Sequence, residues 1–155
     1  MRGFTLIEFL IVIAIGGLLA GVVGPAFSRF PSESQLDDVA SDLKQVIELA
    51  RERSVAGAGG VTHGVFLELN AGAGVSDRYV LFRGSSYATR DPLYDQPTII
   101  KSPIDLTTTL TGGAMTITFS SRWGIPNVIG TITLAHSTGD QRVLNLNELG
   151  LVAFQ

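Results

Sequence analysis

An apolar run without any charged residue occupies the first part of the chain, at residues 9–27. A helix needs about 20 mostly apolar residues to cross the hydrocarbon core of a bilayer. Leu6 and Ile7 extend the run towards the N-terminus, on the other side of Glu8. The pattern therefore predicts a transmembrane helix over residues 4–31, with one carboxylate near its start.

A second apolar pattern has the spacing of an amphipathic helix. Apolar residues recur three or four positions apart at Leu36, Val39, Ala40, Leu43, Ile47 and Ala50. Charged residues lie between them, as on the solvent-exposed face of a helix that packs on a hydrophobic core. Ser34 and Asp37 have the spacing of a capping box, Pro31 marks a break before it, and Gly57 opens a glycine-rich stop. We expect this helix to end near Ala56.

Beyond the helix the apolar period changes to two, which is typical of strands. Strands are predicted at residues 61–70, 78–83, 98–101, 114–119, 128–135, 141–146 and 151–154. Residues 84–97 show no period and are predicted as an irregular loop. Because an amphipathic helix must bury its apolar stripe, the expected fold is α+β: a long N-terminal helix packed on an antiparallel sheet, in one globular domain over residues 32–155.

Glu8 requires an explanation, because an ionised acid at the centre of a membrane helix costs roughly 2.5–3.5 kcal/mol. Arg2 lies six positions away on a different helical face and is a poor partner. A cut between Gly3 and Phe4 would create an α-amine with a pKa of about 7.7–8.0. Two unit charges about 4 Å apart attract by roughly 4 kcal/mol at an effective dielectric near 20. We therefore predict that Glu8 pairs with the amine of a neighbouring subunit.

The residues around this cut, Gly3-Phe4-Thr5-Leu6-Ile7-Glu8, resemble the class III leader junction of type IV pilins and type II secretion pseudopilins. The resemblance implies that a prepilin peptidase removes residues 1–3 as a leader peptide and methylates the amine of Phe4. It also implies that Glu8 and the helix-interrupting Pro25 act in filament assembly.

Two other interpretations of the N-terminus stay open. One is a secretory signal peptide, with Arg2 in its n-region and a cleavage site near residues 20–26. The other is a plain single-span membrane anchor. An acid at Glu8, following directly on Gly3-Phe4, weighs against both.

Later segments extend the resemblance to the GspH/FimT branch of minor pilins and pseudopilins. They are Leu49-Ala50-Arg51-Glu52-Arg53-Ser54-Val55-Ala56, Thr118-Phe119-Ser120-Ser121-Arg122-Trp123-Gly124, Gly130-Thr131-Ile132-Thr133-Leu134 and Asn147-Glu148-Leu149-Gly150-Leu151-Val152. DNA-binding members of the branch carry arginines after the closing glycine, where this chain has Leu151, Val152 and Ala153.

The resemblance implies a pilin-like fold without a catalytic role. It implies a single-pass protein of the bacterial inner membrane, with its globular domain on the periplasmic side. The implied function is that of a minor pseudopilin in a periplasm-spanning filament of a type II secretion system, which supports protein export. A type IV minor pilin in pilus assembly or DNA uptake is the alternative. The implied partners are other pseudopilins or pilins, the prepilin peptidase and an inner-membrane assembly platform.

Composition narrows the possible chemistry. The 155 residues carry a net charge of −3, so no overall basic field favours nucleic acid, and the absence of cysteine excludes disulfides and thiolate metal sites. His63 and His136 have no spaced metal-ligand partners, and Asp91 and Asp95 are weak evidence for calcium. The serines lack the context of a nucleophile elbow. We therefore predict no enzyme activity, metal or cofactor.

Three arginines are the strongest candidates for contacts to nucleic acid. Arg78, Arg83 and Arg90 lie close in sequence to the aromatic residues Tyr79 and Tyr87. Cations bind phosphates, and aromatic rings stack on bases. Scattered arginines on an acidic domain are more typical of a solvated surface, so nucleic acid is not among the predicted partners.

Overall fold

The computed structural model describes residues 4–27, 30–57, 61–69 and 76–155, apart from the side chains of residues 20–31. The helices are α1 (Leu6–Phe27) and α2 (Phe30–Val55). The strands are β1 (His63–Glu68), β2 (Arg78–Arg83), β3 (Gln96–Ile99), β4 (Ile104–Thr108), β5 (Thr116–Thr118), β6 (Gly130–His136), β7 (Gln141–Leu146) and β8 (Val152–Phe154). The chain divides into two compact units, Met1–Ser34 and Gln35–Gln155.

The first unit contains α1, which begins after Thr5 and continues through Pro25 to Phe27. The proline therefore does not end the helix at its own position. Within the described part of the chain, no helix combines the length and the apolar content that a membrane crossing requires. The transmembrane helix stays a prediction.

The start of α2 differs from the prediction. This helix begins at Phe30, four residues before the expected cap at Ser34, and Pro31 is its second residue. Proline is well tolerated in the first turn of a helix, where its missing N–H has no intrahelical partner. The break predicted at Pro31, before Ser34, is therefore wrong where the structure describes it, because residues 30–34 are helical. Residues 28–29 lie outside the described residues.

The amphipathic stripe of α2 is confirmed. Leu36, Ala40, Leu43, Ile47 and Ala50 are all fully buried. The helix ends at Val55, one residue before the predicted end, and is followed by Gly57 at a φ of 62°. Glycine adopts this left-handed conformation without the cost of a Cβ atom, and it commonly follows the last turn of a helix.

The strands form two antiparallel four-stranded sheets, ordered β3-β2-β1-β5 and β4-β6-β7-β8. The predicted hairpins between β1 and β2 and between β6 and β7 are confirmed. The predicted class is therefore correct, although the strands divide between two sheets. Residues from both sheets join the stripe of α2 in one hydrophobic core, so the part of this helix from Leu36 to Ala50 packs on both.

Two edge strands were predicted wrongly. The strand β4 was missed, and β3 begins at Gln96, inside the segment predicted as a loop and two residues before the predicted start. Each lies at the edge of its sheet. Pro97 is tolerated in β3 because an edge strand leaves one side of its backbone unpaired. The buried carboxylate of Asp77 accepts a hydrogen bond from the backbone N–H of Leu106 at 2.6 Å, which ties the start of β2 to β4.

Candidate functional site

The first candidate site is the start of α1, where Thr5 and Glu8 form a capping box. The backbone N–H and the hydroxyl of Thr5 each donate to Oε2 of Glu8 at 2.9 Å. The backbone N–H of Glu8 donates back to Oγ1 of Thr5 at 3.4 Å. These contacts satisfy donors that a helix N-terminus leaves free, and the carboxylate lies at the positive end of the helix dipole.

This arrangement positions the predicted assembly residues. Glu8 follows Phe4 by four residues in the chain, and the side chain of Phe4 is exposed. Gly3 lies outside the described residues, so the predicted cleavage site is not described in full. The role of Thr5 was missed, although its signal was present in the sequence, because Thr-x-x-Glu before an apolar run is a capping-box pattern.

The large apolar side chains of α1 that the structure describes are not covered by the rest of the described chain. The large ones described, from Phe4 to Leu19, are between 51% and 80% exposed. Charged residues are absent from the rest of the helix, since residues 9–27 carry none. A helix that is apolar on every side needs either lipid or other protein around it.

Each of the three candidate arginines for nucleic acid is engaged by a carboxylate or by an aromatic ring. Nε of Arg78 lies 2.7 Å from Oε2 of Glu68, and Nε of Arg90 lies 2.8 Å from Oδ2 of Asp95. The hydrogen-bonded carboxylate of Glu68 raises the pKa of Arg78. The guanidinium of Arg83 lies 4.6 Å from the centroid of a tyrosine ring. All three cations therefore already have a side-chain partner.

The aromatic residues beside these arginines are also occupied. Tyr79 and Phe82 are buried. The ring of Tyr87 stacks on Phe66 with 3.9 Å between centroids, and the guanidinium of Arg90 lies 3.7 Å from the same ring. A base that stacked on Tyr87 would have to displace one of these two neighbours.

Arg51 lies where three of the segments that carry the family resemblance meet. Its Nε donates to the carbonyl oxygen of Gly124 at 3.2 Å. A Cβ atom at Gly150 would lie 2.5 Å from that same oxygen and 3.0 Å from Arg51. Both glycines have positive φ angles, of 63° and 73°. Only glycine fits this junction between the end of α2 and the two turns.

The end of α2 also packs on a buried histidine. The backbone N–H of His63 donates to the hydroxyl of Ser54 at 2.8 Å, and that hydroxyl lies 3.2 Å from the His63 carbonyl oxygen. Arg83 is the register partner of His63 on β2. Burial lowers the pKa of His63, and the nearby charges of Arg53 and Arg83 lower it further. Nδ1 of His63 is buried without a hydrogen-bond partner in the structure as described.

The residues considered for metals do not form a site. Asp91 accepts from the backbone N–H of Leu93 at 3.2 Å, and Asp95 is paired with Arg90. His136 contacts the hydroxyl of Thr138 at 2.8 Å. In the ranges that the structure covers, no three histidine or acidic residues are arranged to hold a metal ion.

An N-terminal helix with an acid-bearing apolar surface, followed by a helix packed on antiparallel sheets, defines a pilin-like protein. The first 24 residues match the prokaryotic N-terminal methylation motif. Residues 39–150, more than half of the chain, match the family described as type II transport protein GspH. The chain belongs to this family, which consists of pilin and pseudopilin structural subunits.

Among curated proteins, the chain is similar to type IV pilins. It is 35% identical over 75 residues to the type IV major pilin protein PilE1 of Neisseria gonorrhoeae, which covers 48% of this chain and 42% of the relative. It is 50% identical over 42 residues to the type IV major alpha-pilin of Moraxella bovis, covering 27% and 26%. The chain thus spans less than half the length of these relatives. No solved structure matches it.

Proposed function

We propose that this chain is a minor pseudopilin, a filament subunit of a type II secretion system that supports protein export. A prepilin peptidase would cut after Gly3 and methylate the new amine of Phe4. The hydrophobic segment of α1 would hold the subunit in the bacterial inner membrane, with the globular unit on the periplasmic side. On assembly, α1 would then leave the lipid and pack on the apolar helices of other subunits.

The observation that carries this proposal is the surface of α1. Its described side chains are apolar and exposed on every side, and its one carboxylate, on Glu8, lies in the first turn. A bundle of such helices in a filament would cover the apolar surface. Before assembly the capping box with Thr5 satisfies the carboxylate. On assembly, the amine of a neighbouring Phe4 would provide a full positive charge. It would replace the partial positive charges of the N–H and O–H groups of Thr5.

The proposal is tested by the mass of the N-terminus. Co-expression with a prepilin peptidase should remove residues 1–3 and add a methyl group to Phe4, and an unchanged mass would contradict it. Gly3→Val should block the cut, because the residue before the cleaved bond would no longer be the glycine of the peptidase motif. Gly16→Ala is the matched control and should be cut normally, since a Cβ there would contact nothing within 4 Å.

A type IV minor pilin acting in pilus assembly is the second candidate. The similarity of part of this chain to type IV major pilins favours it. Deleting the gene in the native host separates the two functions. Loss of protein export with intact pili supports the pseudopilin, and loss of pili with normal export supports the pilin.

The DNA-uptake form of this alternative has less support. Arg78 and Arg90 already contact carboxylates, which would have to be displaced before either arginine could bind a phosphate. Binding of duplex DNA at low salt that weakens on substituting Arg78, Arg83 or Arg90 would favour DNA uptake.

A further inference from the structure

Two neighbouring cavities lie beside β1 and β5, at one end of the sheet β3-β2-β1-β5. Their volumes are about 380 Å³ and about 400 Å³. Ser85, Thr118 and Asn127 line both of them, so the two cavities form one groove, the β5 groove. Each volume falls in the range of roughly 300–1,000 Å³ that is typical of sites for small ligands.

The floor of the β5 groove is the face of the sheet that points away from the hydrophobic core. Ile117 of β5 is fully buried in the core, whereas its neighbours Thr116 and Thr118 are half-buried and line the groove. Successive side chains of a strand point to opposite faces, so both threonines belong to the outer face. Phe66, the register partner of Thr116 on β1, lines the groove beside them. The floor therefore combines two hydroxyls with an aromatic ring.

Both walls of the groove are held in place by bonds within the chain. On one side, the side chain of Asn127 accepts from the backbone N–H of Thr118 at 2.7 Å and donates to a second backbone group of β5 at 3.3 Å. On the other side, the ring of Tyr87 stacks on Phe66, and its backbone oxygen accepts from Arg90 at 2.8 Å. The groove is therefore formed before a ligand binds, which lowers the entropic cost of binding.

Three hydroxyls of the groove are available to a ligand. They belong to Ser85, Thr116 and Thr118, and none of them bonds to a residue that the structure describes. A hydroxyl is both a donor and an acceptor of hydrogen bonds. The groove can therefore form several hydrogen bonds with a ligand that carries groups of the same kind.

The charge of the lining restricts the ligand further. Among the described residues that line the two cavities, none carries a charge: each is apolar, a serine, a threonine, an asparagine or a tyrosine. An ionised ligand would lose part of its hydration there without gaining a counter-charge. The groove therefore favours an uncharged ligand that is rich in hydroxyls.

A peptide added as a further strand fits the groove less well. It would need the free backbone groups along the outer edge of β5. The side chain of Asn127 already bonds to two of them, the N–H of Thr118 and the carbonyl oxygen of Thr116. Binding of such a strand would have to displace this asparagine first.

We propose that the β5 groove binds a neutral oligosaccharide. A pyranose ring presents hydroxyls at its edge and C–H groups on its faces. The hydroxyls would pair with Ser85, Thr116 and Thr118, and the C–H groups would pack on the apolar lining beside Phe66, because the face of an aromatic ring is slightly negative. The inference goes beyond the proposed filament role and does not depend on it.

Titration of the full-length chain with three neutral trisaccharides tests the proposal. The chain is held in dodecylphosphocholine micelles, because the head group of this detergent contains no sugar, and backbone amide signals are followed by NMR. Chitotriose, maltotriose and cellotriose differ in linkage and in acetamido groups. At least one should cause saturable shifts at Ser85, Thr116 and Thr118 with a Kd of about 1 mM or lower. No saturable shift at these amides with any of the three would overturn the proposal.

Variants of the two threonines show whether the hydroxyls carry the binding. Thr116→Val/Thr118→Val keeps the shape of both side chains and should raise the Kd about tenfold or more. Thr116→Ser/Thr118→Ser is the matched control, since it keeps the hydroxyls and removes the methyl groups, and it should bind with a Kd close to that of the unaltered chain. Thr107→Val, an exposed position on β4, should not change the Kd. An unchanged Kd in the double valine variant would show that the sugar binds elsewhere and would contradict the proposal.

A decaproline peptide serves as a competing ligand in the same titration. If it shifts the amides of the groove and no trisaccharide does, the groove binds extended peptides and the proposal is wrong. All variants keep Gly3, Phe4 and Glu8, so cleavage by the peptidase is measured separately. Failure of sugar binding therefore leaves the proposed function unaffected.

Discussion

The two helices of this chain place their apolar side chains in opposite environments. In α1 the described large apolar side chains are exposed on all sides, whereas in α2 one stripe is fully buried, namely Leu36, Ala40, Leu43, Ile47 and Ala50. One helix leaves its apolar surface for other molecules, whereas the other completes the core of its own domain. Under the proposed function, the same kind of residue has an intermolecular role in one unit and an intramolecular role in the other.

This difference determines which property a substitution changes. In α1 a change should affect filament formation and leave the unfolding of the globular unit unaltered. In the stripe of α2 it should lower the free energy of unfolding and leave cleavage at Gly3 unaltered. Substitutions in each helix test whether the two properties separate in this way.

The largest effect is expected for Glu8→Ala. It removes the carboxylate that would pair with the amine of a neighbouring Phe4. A pair worth roughly 4 kcal/mol at an effective dielectric near 20 corresponds to a loss of at least about a hundredfold in incorporation. Quantitative cross-linking of subunits in the native membrane measures it, and the melting temperature of the globular unit should not change.

Glu148→Ala is the matched control for this substitution. Glu148 is exposed in the turn before β8, so its removal should affect neither incorporation nor melting. Normal incorporation of the Glu8 variant would remove the basis of the proposed assembly contact.

The next effect in size is expected at the centre of the α2 stripe. Leu43 is fully buried, and Leu43→Ala should lower the free energy of unfolding by about 2–5 kcal/mol, because it removes apolar contacts and leaves a cavity. Chemical denaturation measures the loss. Ile11→Ala in α1 deletes a comparable side chain that is 51% exposed and should leave this free energy unchanged. Equal losses from the two substitutions would contradict the division of roles.

The helices and most strands were predictable because their signals are local. The stripe of α2 repeats every three or four residues, and its five fully buried positions belong to the predicted set. The exact bounds of β2 and β7 follow from β-branched and aromatic runs between turns. Short edge strands such as β4 carry a weaker signal, because half of their backbone bonds lack a partner strand.

The contacts at the end of α2 were not predictable from spacing. Arg51 and Gly124 are 73 positions apart, and no periodic pattern relates them. The resemblance identified both segments, but it did not show that they touch. For the same reason the sequence alone does not reveal that Arg78 and Arg90 pair with carboxylates.

This junction provides the third prediction, which tests whether the end of α2 depends on its glycine turns. Gly150→Ala should destabilise the globular unit by about 1–3 kcal/mol, because a Cβ atom both strains a φ of 73° and approaches Gly124. Gly139→Ala is the control, since its φ of 97° is strained too but nothing lies within 4 Å. Chemical denaturation of both variants separates the effect of close approach from that of backbone strain. Equal losses in the free energy of unfolding would show that the approach to Gly124 contributes nothing.

A smaller loss is expected where α2 bonds to the first sheet. Tyr79→Phe removes the hydroxyl that donates to Asp42 and should cost about 1 kcal/mol. Burial, followed by the hydrogen bond to Asp42, raises the pKa of Tyr79 far above its usual range, so the hydroxyl stays protonated in the folded state. Tyr94→Phe changes an exposed hydroxyl and should have no effect on chemical denaturation. A similar loss from both would mean that the bond to α2 adds no stability.

The smallest effect is expected on the pH dependence of stability. It involves His63, which begins β1 and bonds to Ser54 at the end of α2. Burial and the charges of Arg53 and Arg83 lower the pKa of His63 from its ordinary value of about 6.5. As the pH falls below about 6.5, the unfolded chain therefore takes up a proton more readily than the folded one, and the free energy of unfolding decreases. Above that pH the contribution is constant.

His63→Gln should remove this decrease, whereas His136→Gln should retain it, because His136 belongs to a separate strand and lacks the arginine neighbours. Melting temperatures measured between pH 8 and pH 5 test the difference, and identical curves for His63→Gln and the unaltered chain would exclude His63 as its source.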